Sequence, residues 1–185
     1  MLFLGVDQSL RSSGVAVISE EQESVYLGRI APAKLSDAPR LAAIRDALQT
    51  LITTTPDIRF AALEGYAYDV GAGRVFELGE VGAVVKLALY DAKIPFIVVP
   101  PASLKQFVAD HGNANKTQMR ISVLRRWGYD ITQDDECDAF GLAQVARAVH
   151  LNKGTTRSEL EVLKKLRTTD KKVSLVSFKT RFPSI

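Results

Sequence analysis

Acidic residues at the ends of apolar runs are the first sign of chemistry in this 185-residue chain. Leu2-Phe3-Leu4-Gly5-Val6 leads straight into Asp7, and Phe60-Ala61-Ala62-Leu63 leads into Glu64. Asp134, Asp135, Glu136 and Asp138 crowd the start of an Ala-rich helical stretch. A buried, unpaired carboxylate is costly, so several that converge either share a cation or repel one another. Acids at a helix N-terminus need no further reason, because they complement the helix dipole. Asp7 and Glu64 sit at strand ends, where that reason fails. A set made only of oxygen ligands suits a hard cation such as Mg²⁺ or Mn²⁺. Two such ions about 4 Å apart activate a water and stabilise the leaving oxygen in phosphoryl displacement. Zinc does not fit, because Cys137 is the only cysteine and the two histidines lie far apart in sequence. Residues three or four apart share a helix face. Relative to Asp138, both Asp135 and Asp134 qualify, Asp135 being preferred, and Glu136 points away.

These residues need elements to position them. Residues 2–7 and 14–19 read as two strands of a hairpin, and residues 24–31 as a third. Between Ala38 and Ile52 apolar residues recur at Leu41, Ile44, Leu48 and Leu51, the spacing of a helix with one buried face. Phe60–Leu63 is a buried strand, Arg74–Tyr90 a helix, and Ile94–Val99 a strand stopped by Pro100-Pro101. A short helix over 102–110, a Gly/Asn loop, a helix over 116–127 and a last one from about Glu136 to His150 complete the body. Hairpin strands followed by alternating strands and helices predict an α/β mixed five-stranded sheet flanked by helices. Beyond His150 the pattern changes. Ser158 with Glu161 resembles a capping box opening a helix, and residues 173–182 fit either a strand or an extended tail. We therefore divide the chain into a body, 1–150, and a C-terminal extension, 151–185.

Composition narrows the class. Hydrophobic content of 46% and charged content of 24% are globular values. A single cysteine allows no intrachain disulfide and suits a reducing, cytoplasmic setting. The sequence carries neither a signal-peptide pattern nor an apolar run of membrane-spanning length, so no membrane partner is expected. The net charge of +3 is uneven: residues 1–150 hold 15 Lys/Arg against 18 Asp/Glu, and residues 151–185 hold 9 against 3. A basic tail on a mildly acidic body fits an anionic partner, and equally a solubilising segment.

The motifs together resemble one family. LGVDQSLRSSGVAVI is similar to the first motif of RuvC-type Holliday junction resolvases, an acid-ended strand followed by a Gly-containing strand. Leu63-Glu64 resembles the second acidic motif. Pro101-Ala102-Ser103-Leu104-Lys105, then Gly112 and Lys116, resembles the P-x-x-x-K…G…K segment, and Asp135–Ala139 the closing D-x-x-D-A helix start. The similarity covers residues 2–150. It implies a ribonuclease H-like fold and a homodimeric endonuclease using Mg²⁺ or Mn²⁺, two ions per site, to cut a four-way DNA junction. The metal ligands would be Asp7, Glu64, Asp135 and Asp138. Lys105 and Lys116 would approach the scissile phosphate and the junction backbone. The helix after Glu64 would form the dimer contact, with Gly79 and Gly82 either admitting the partner or packing internally. The family often has an aromatic residue three positions after the second acid, where this chain has Ala67. Tyr66 and Tyr68 flank it and, with Arg74, are the candidate DNA contacts there. The added tail resembles those of compact phage resolvases, for which the setting would be the host cytoplasm.

Three other readings share parts of this pattern. A debranching nuclease for flaps, forks or structured RNA would keep the four acids. A non-catalytic DNA-binding scaffold would have no reason to keep them. A sugar-kinase or actin-type ATPase would need a second lobe and Gly-rich phosphate loops that 185 residues do not supply.

Overall fold

The computed structural model describes residues 1–32, 34–66, 72–170 and 175–176, with backbone alone at 72–74, 168–170 and 175–176. Strands β1 (Leu2–Asp7), β2 (Ser13–Ser19) and β3 (Ser24–Ile30) form an antiparallel meander, followed by helix α1 (Asp37–Thr54). Strand β4 (Ile58–Glu64), helix α2 (Ala72–Asp91) and strand β5 (Phe96–Val99) come next, then helices α3 (Pro101–Ala109), α4 (Lys116–Trp127), α5 (Asp134–Leu151) and α6 (Arg157–Asp170). The strand order is β3-β2-β1-β4-β5, with β1, β4 and β5 parallel. This is the mixed five-stranded sheet expected. Residues Leu175–Val176 add a two-residue antiparallel strand, β6, on the outer side of β5, so the C-terminal segment supplies an extra sheet edge.

Strand side chains alternate between faces, and the two faces carry two separate cores. Leu4, Val6, Val15, Val17, Ala61 and Leu63 point to one face, under Ile44 and Leu48 of α1 and Val81 and Val85 of α2. Phe3, Ala16, Ile18, Phe60 and Ala62 point to the other, under the buried side of α5. The same alternation puts Asp7, two residues beyond Gly5, and Glu64, two beyond Ala62, on the α5 face. The parity of the strands therefore brings both acids under one helix.

That helix sits unusually close to the sheet. A β-carbon added at Gly5 would lie 2.0 Å from the Ala139 carbonyl oxygen, and one at Gly14 would lie 1.9 Å from that of Asp135. Gly5 and Gly14 are paired neighbours of Ala16 and Asp7 on β2 and β1, so the gap runs across the hairpin. Backbone cannot yield as the end of a flexible side chain does, so only glycine fits at either position.

The other helices brace this arrangement. Asn115 caps α4 by accepting from the Gln118 amide, and Gln118 Oε1 accepts from the Asn115 amide in return. At α6 the reciprocal pair is Thr156 and Glu159, not Ser158 and Glu161. Glu161 instead pairs with Arg157 at 2.9 Å, one turn away. The buried Glu159 carboxylate also accepts from Arg126 of α4, whose guanidinium donates to the Phe107 and Val108 carbonyls at the end of α3. Val162, Leu163 and Leu166 of α6 lie in the α5-side core. Helix α6 is thus packed into the body. No helix among the described residues is long and apolar enough to cross a membrane.

The close approach predicts the outcome of one substitution. Gly14→Ala must push the start of α5 away from β2, costing about 1–3 kcal/mol as overpacking does. Denaturant unfolding should record that loss, while alanine at Gly79, beside which nothing lies within 4 Å, should not destabilise the fold.

Candidate active site

Three elements deliver acids to one end of the sheet. β1 ends in Asp7, β4 ends in Glu64, and α5 begins with Asp134, Asp135, Glu136 and Asp138. Asp7 is only 7% exposed. Its carboxyl is pushed up to about 9, first by burial, then by the charge of Glu64 and a hydrogen bond to that carboxylate, then by Asp135. Glu64 is also raised, chiefly by burial and further by Asp138, while the hydrogen bond with Asp7 and the charge of Lys105 act the other way. Asp7 is therefore the protonated partner and donates to Glu64. Asp138 is pushed up to about 7 by burial and then by Asp7 and Asp134, against Lys116 and Lys105. Asp7, Glu64, Asp135 and Asp138 thus each add negative charge to another member of the set, and Lys105 and Lys116 act against them.

The remaining acids of α5 point elsewhere. Glu136 pairs with Arg29 of β3 at 3.4 Å. Asp134 lies 2.8 Å from Lys116 Nζ and 3.8 Å from Arg120, both on α4. The hydrogen bond to Asp134 is the main cause that raises the Lys116 ammonium. Asp135 adds its charge to Asp7. Burial pushes the Cys137 thiol up to about 12, so it packs as an unreactive neutral group.

The residues after Glu64 are less open than the sequence suggests. Tyr66 is half-buried, with Lys86 Nζ 5.5 Å from its ring centre. Its hydroxyl fills the space over Gly82, where an added β-carbon would lie 1.8 Å away. Gly82 therefore packs inside the chain and is not a face for a second subunit. Tyr68 lies outside the described residues, as does the Arg74 side chain. A cavity of about 580 Å³ opens beside the acids, bounded by Arg11 of the β1–β2 hairpin, Arg40 of α1 and Glu77 of α2. Arg40 and Glu77 pair across it at 3.1 Å.

Sequence reasoning did not single out Gln8, Arg40 or Glu77. The Gln8 amide is buried and donates to the Glu64 carbonyl oxygen at 2.6 Å. An amide next to an acid carries no periodic signal. Only its place directly after Asp7 points to it.

Among the described residues, no three His, Cys, Asp or Glu side chains are drawn together tightly enough to grip an ion as they stand. The donor chemistry nevertheless fits a divalent cation. All four groups are carboxylates, a buried Asp7 lies beside a half-buried Glu64, and each of the four raises the proton affinity of another. A cation removes that repulsion by replacing the retained protons.

A mixed sheet in this order, with acids at the adjacent ends of β1 and β4 beneath one helix, defines a ribonuclease H-like α/β protein. The solved Thermus thermophilus RuvC structure shares the fold, with a TM-score of 0.70 at 19% identity over 82% of this chain and 97% of that one. The T. thermophilus RuvC complex with Holliday junction substrate gives 0.70 at 16% identity, over 82% and 96%. The family model for "Crossover junction endodeoxyribonuclease RuvC" matches residues 3–146. Proteins of that description from Paraburkholderia phytofirmans and Thermomicrobium roseum are each 30% identical over 165 residues. Those matches span 86% and 84% of this chain, and 88% and 100% of the relatives. The chain belongs to the RuvC family of crossover junction endodeoxyribonucleases.

The buried acid pair sets a pH dependence for the metal-free protein. Between about pH 4 and 9 the folded Asp7 carboxyl keeps a proton that the unfolded chain has released. Unfolding then releases a proton, so stability falls as pH rises through that window. Asp7→Asn removes the effect. In EDTA the variant should exceed the parent by more than about 1 kcal/mol at pH 8, with the gap closing toward pH 4. Denaturation curves that differ equally at both pH values would contradict the assignment.

Proposed function

We propose that this enzyme is a divalent-metal-dependent, structure-selective endonuclease that resolves four-way DNA junctions by paired hydrolytic nicks. The observation that carries this reading is that Asp7, Glu64, Asp135 and Asp138 lie close enough, at one end of the sheet, for each to raise the proton affinity of another. Those four carboxylates would hold Mg²⁺ or Mn²⁺, two ions per site. Such ions, when bound, supply a nucleophilic water and charge stabilisation in phosphoryl displacement.

The protein residues would act on the DNA around that centre. Lys105 and Lys116, which already lower the proton affinity of Asp138, would bring the scissile phosphate to the acids. Lysine suits this role as a compact charge that positions phosphate without reading bases. Asp134 would restrain Lys116 until a phosphate competes for it. In the reaction, a water oxygen bonds to phosphorus while the P–O3′ bond breaks, and a proton passes to the departing 3′-oxygen. The products are a 5′-phosphate and a 3′-hydroxyl. Tyr66, Tyr68 and Arg74 would contact DNA near the crossover.

A second copy of the chain would complete the unit. On α2, Phe76, Ala83 and Leu87 recur at spacings of seven and four and are exposed, Phe76 at 78%. A stripe of this kind supports an isologous homodimer with two active sites, matched to a two-fold symmetric junction. Residues 1–150 would form the nuclease domain and 151–185 the basic extension. Lys171, Lys172, Lys179 and Arg181 of that extension, which lie outside the described residues, would add sequence-independent phosphate contacts.

Cleavage of a synthetic four-way junction in Mg²⁺ or Mn²⁺, in competition with a flap, a fork and linear duplex, tests the proposal. Paired symmetric nicks in the junction are expected, and Asp7→Asn and Glu64→Gln should abolish them while leaving metal-free DNA binding intact. Equal cutting of flaps and forks would make the enzyme a broader debranching nuclease. Cleavage retained in Asp7→Asn would remove the metal-site assignment.

A further inference from the structure

We infer that Gln8 is a positioning residue that sets the spacing of the Asp7–Glu64 pair. This inference rests on the reading of those acids as the metal site. The parallel register of β1 and β4 ends with Val6 opposite Leu63, one residue short of both acids. On its other side β4 stays paired through Glu64 opposite Val99, and the Gly65 amide donates to the Val99 carbonyl at 2.8 Å. Nothing in the β1 register therefore faces the Glu64 carbonyl. Gln8 Nε2 fills that place at 2.6 Å, so a side-chain amide supplies the rung that the strands leave out.

The orientation of the amide follows from the same distance. Turned over, it would set two carbonyl oxygens against each other at 2.6 Å. Gln8 is 6% exposed, and its Oε1 is buried with no hydrogen-bond partner among the described residues. That oxygen lies on the far side, toward Gly82, where an added β-carbon would come within 3.1 Å of it. A buried acceptor without a partner is unfavourable, so the donor end must be worth holding. The bond joins the backbone directly after one acid to the backbone of the other, and it limits how far their carboxylates can separate. The Asp7–Glu64 hydrogen bond joins the two acids through their side chains, whereas Gln8 joins the end of β1 to the Glu64 backbone.

Gln8→Met tests the inference, because it keeps the side-chain length and removes the donor. Free Mn²⁺ measured by electron paramagnetic resonance, on the full chain without DNA, gives the half-saturation directly. Steady-state cleavage of the four-way junction gives kcat and KM separately. Losing an outer partner of a metal ligand typically costs 10- to 100-fold. Gln8→Met should therefore raise Mn²⁺ half-saturation by roughly tenfold or more and lower kcat on the order of 10- to 100-fold. KM and junction affinity in EDTA should stay at the parent values, which a merely structural defect would not allow. Gln8→Asn, whose amide is one methylene too short to reach, should behave alike and stands in if Gln8→Met fails to fold. Mn²⁺ half-saturation and kcat within about twofold of the parent in either folded variant would overturn the inference. Asp7→Asn separates the two failures. If it also keeps parental Mn²⁺ binding, the metal-site reading is wrong; if it alone loses binding, only the role of Gln8 is.

Discussion

Like-charge repulsion at the end of the sheet is the constraint on which the rest of this structure depends. Buried Asp7 and half-buried Glu64 share a hydrogen bond, with Asp135 and Asp138 adding negative charge from α5. Left alone, such a group would separate or keep its protons. The fold prevents the separation by fixing the four acids on three rigid elements, two strand ends and a helix start. Retained protons are then the state of the metal-free protein, and a divalent cation is the natural replacement for them. Under the proposed function, the energetic penalty of assembling the acids would become affinity for the ion.

Holding the acids in place takes features that have no chemistry of their own. Gly5 and Gly14 let α5 rest on the β1–β2 hairpin with backbone nearly touching backbone. Without that approach Asp135 and Asp138 would stand off from Asp7 by the width of a methyl group. Arg29 and the pair Lys116 and Arg120 draw Glu136 and Asp134 outward, while Asp135 acts on Asp7 and Asp138 on Glu64. Farther away, Arg126 ties the end of α3 to α4 and to Glu159 of α6, which steadies the side of the cleft that carries Lys105 and Lys116.

Much of this was legible in the sequence, for physical reasons that differ from element to element. Short continuous apolar runs located β1, β2 and β4, and period-3.6 spacing located α1, α4 and α5. The acids stood out because a charge after a buried strand conflicts with its surroundings. The choice of Asp135 over Glu136 followed from helix geometry, and the outward pairing of Glu136 agrees with it. Other features left weaker signals. The glycines of β1 and β2 were visible as motif letters, yet their reason is a contact with a helix more than a hundred residues later. For Gly82 the sequence left open a partner contact or internal packing, and the hydroxyl of Tyr66 occupies its space. The cap of α6 uses Thr156 and Glu159 because Arg126, distant in sequence, draws Glu159 inward and fixes where the helix starts. The two-residue β6 depends on pairing with β5, which no local pattern encodes.

The central claim is that four carboxylates from β1, β4 and α5 form one cation site. A crystal of the full chain soaked in Mn²⁺, with diffraction data collected at the manganese absorption edge, tests it most directly. Anomalous density should appear in contact with Asp7, Glu64, Asp135 and Asp138, with Asp134 and Glu136 still paired to Lys116 and Arg29. Manganese bound instead at Asp134, Glu136 or Glu77, with Asp7 and Glu64 unligated, would contradict it.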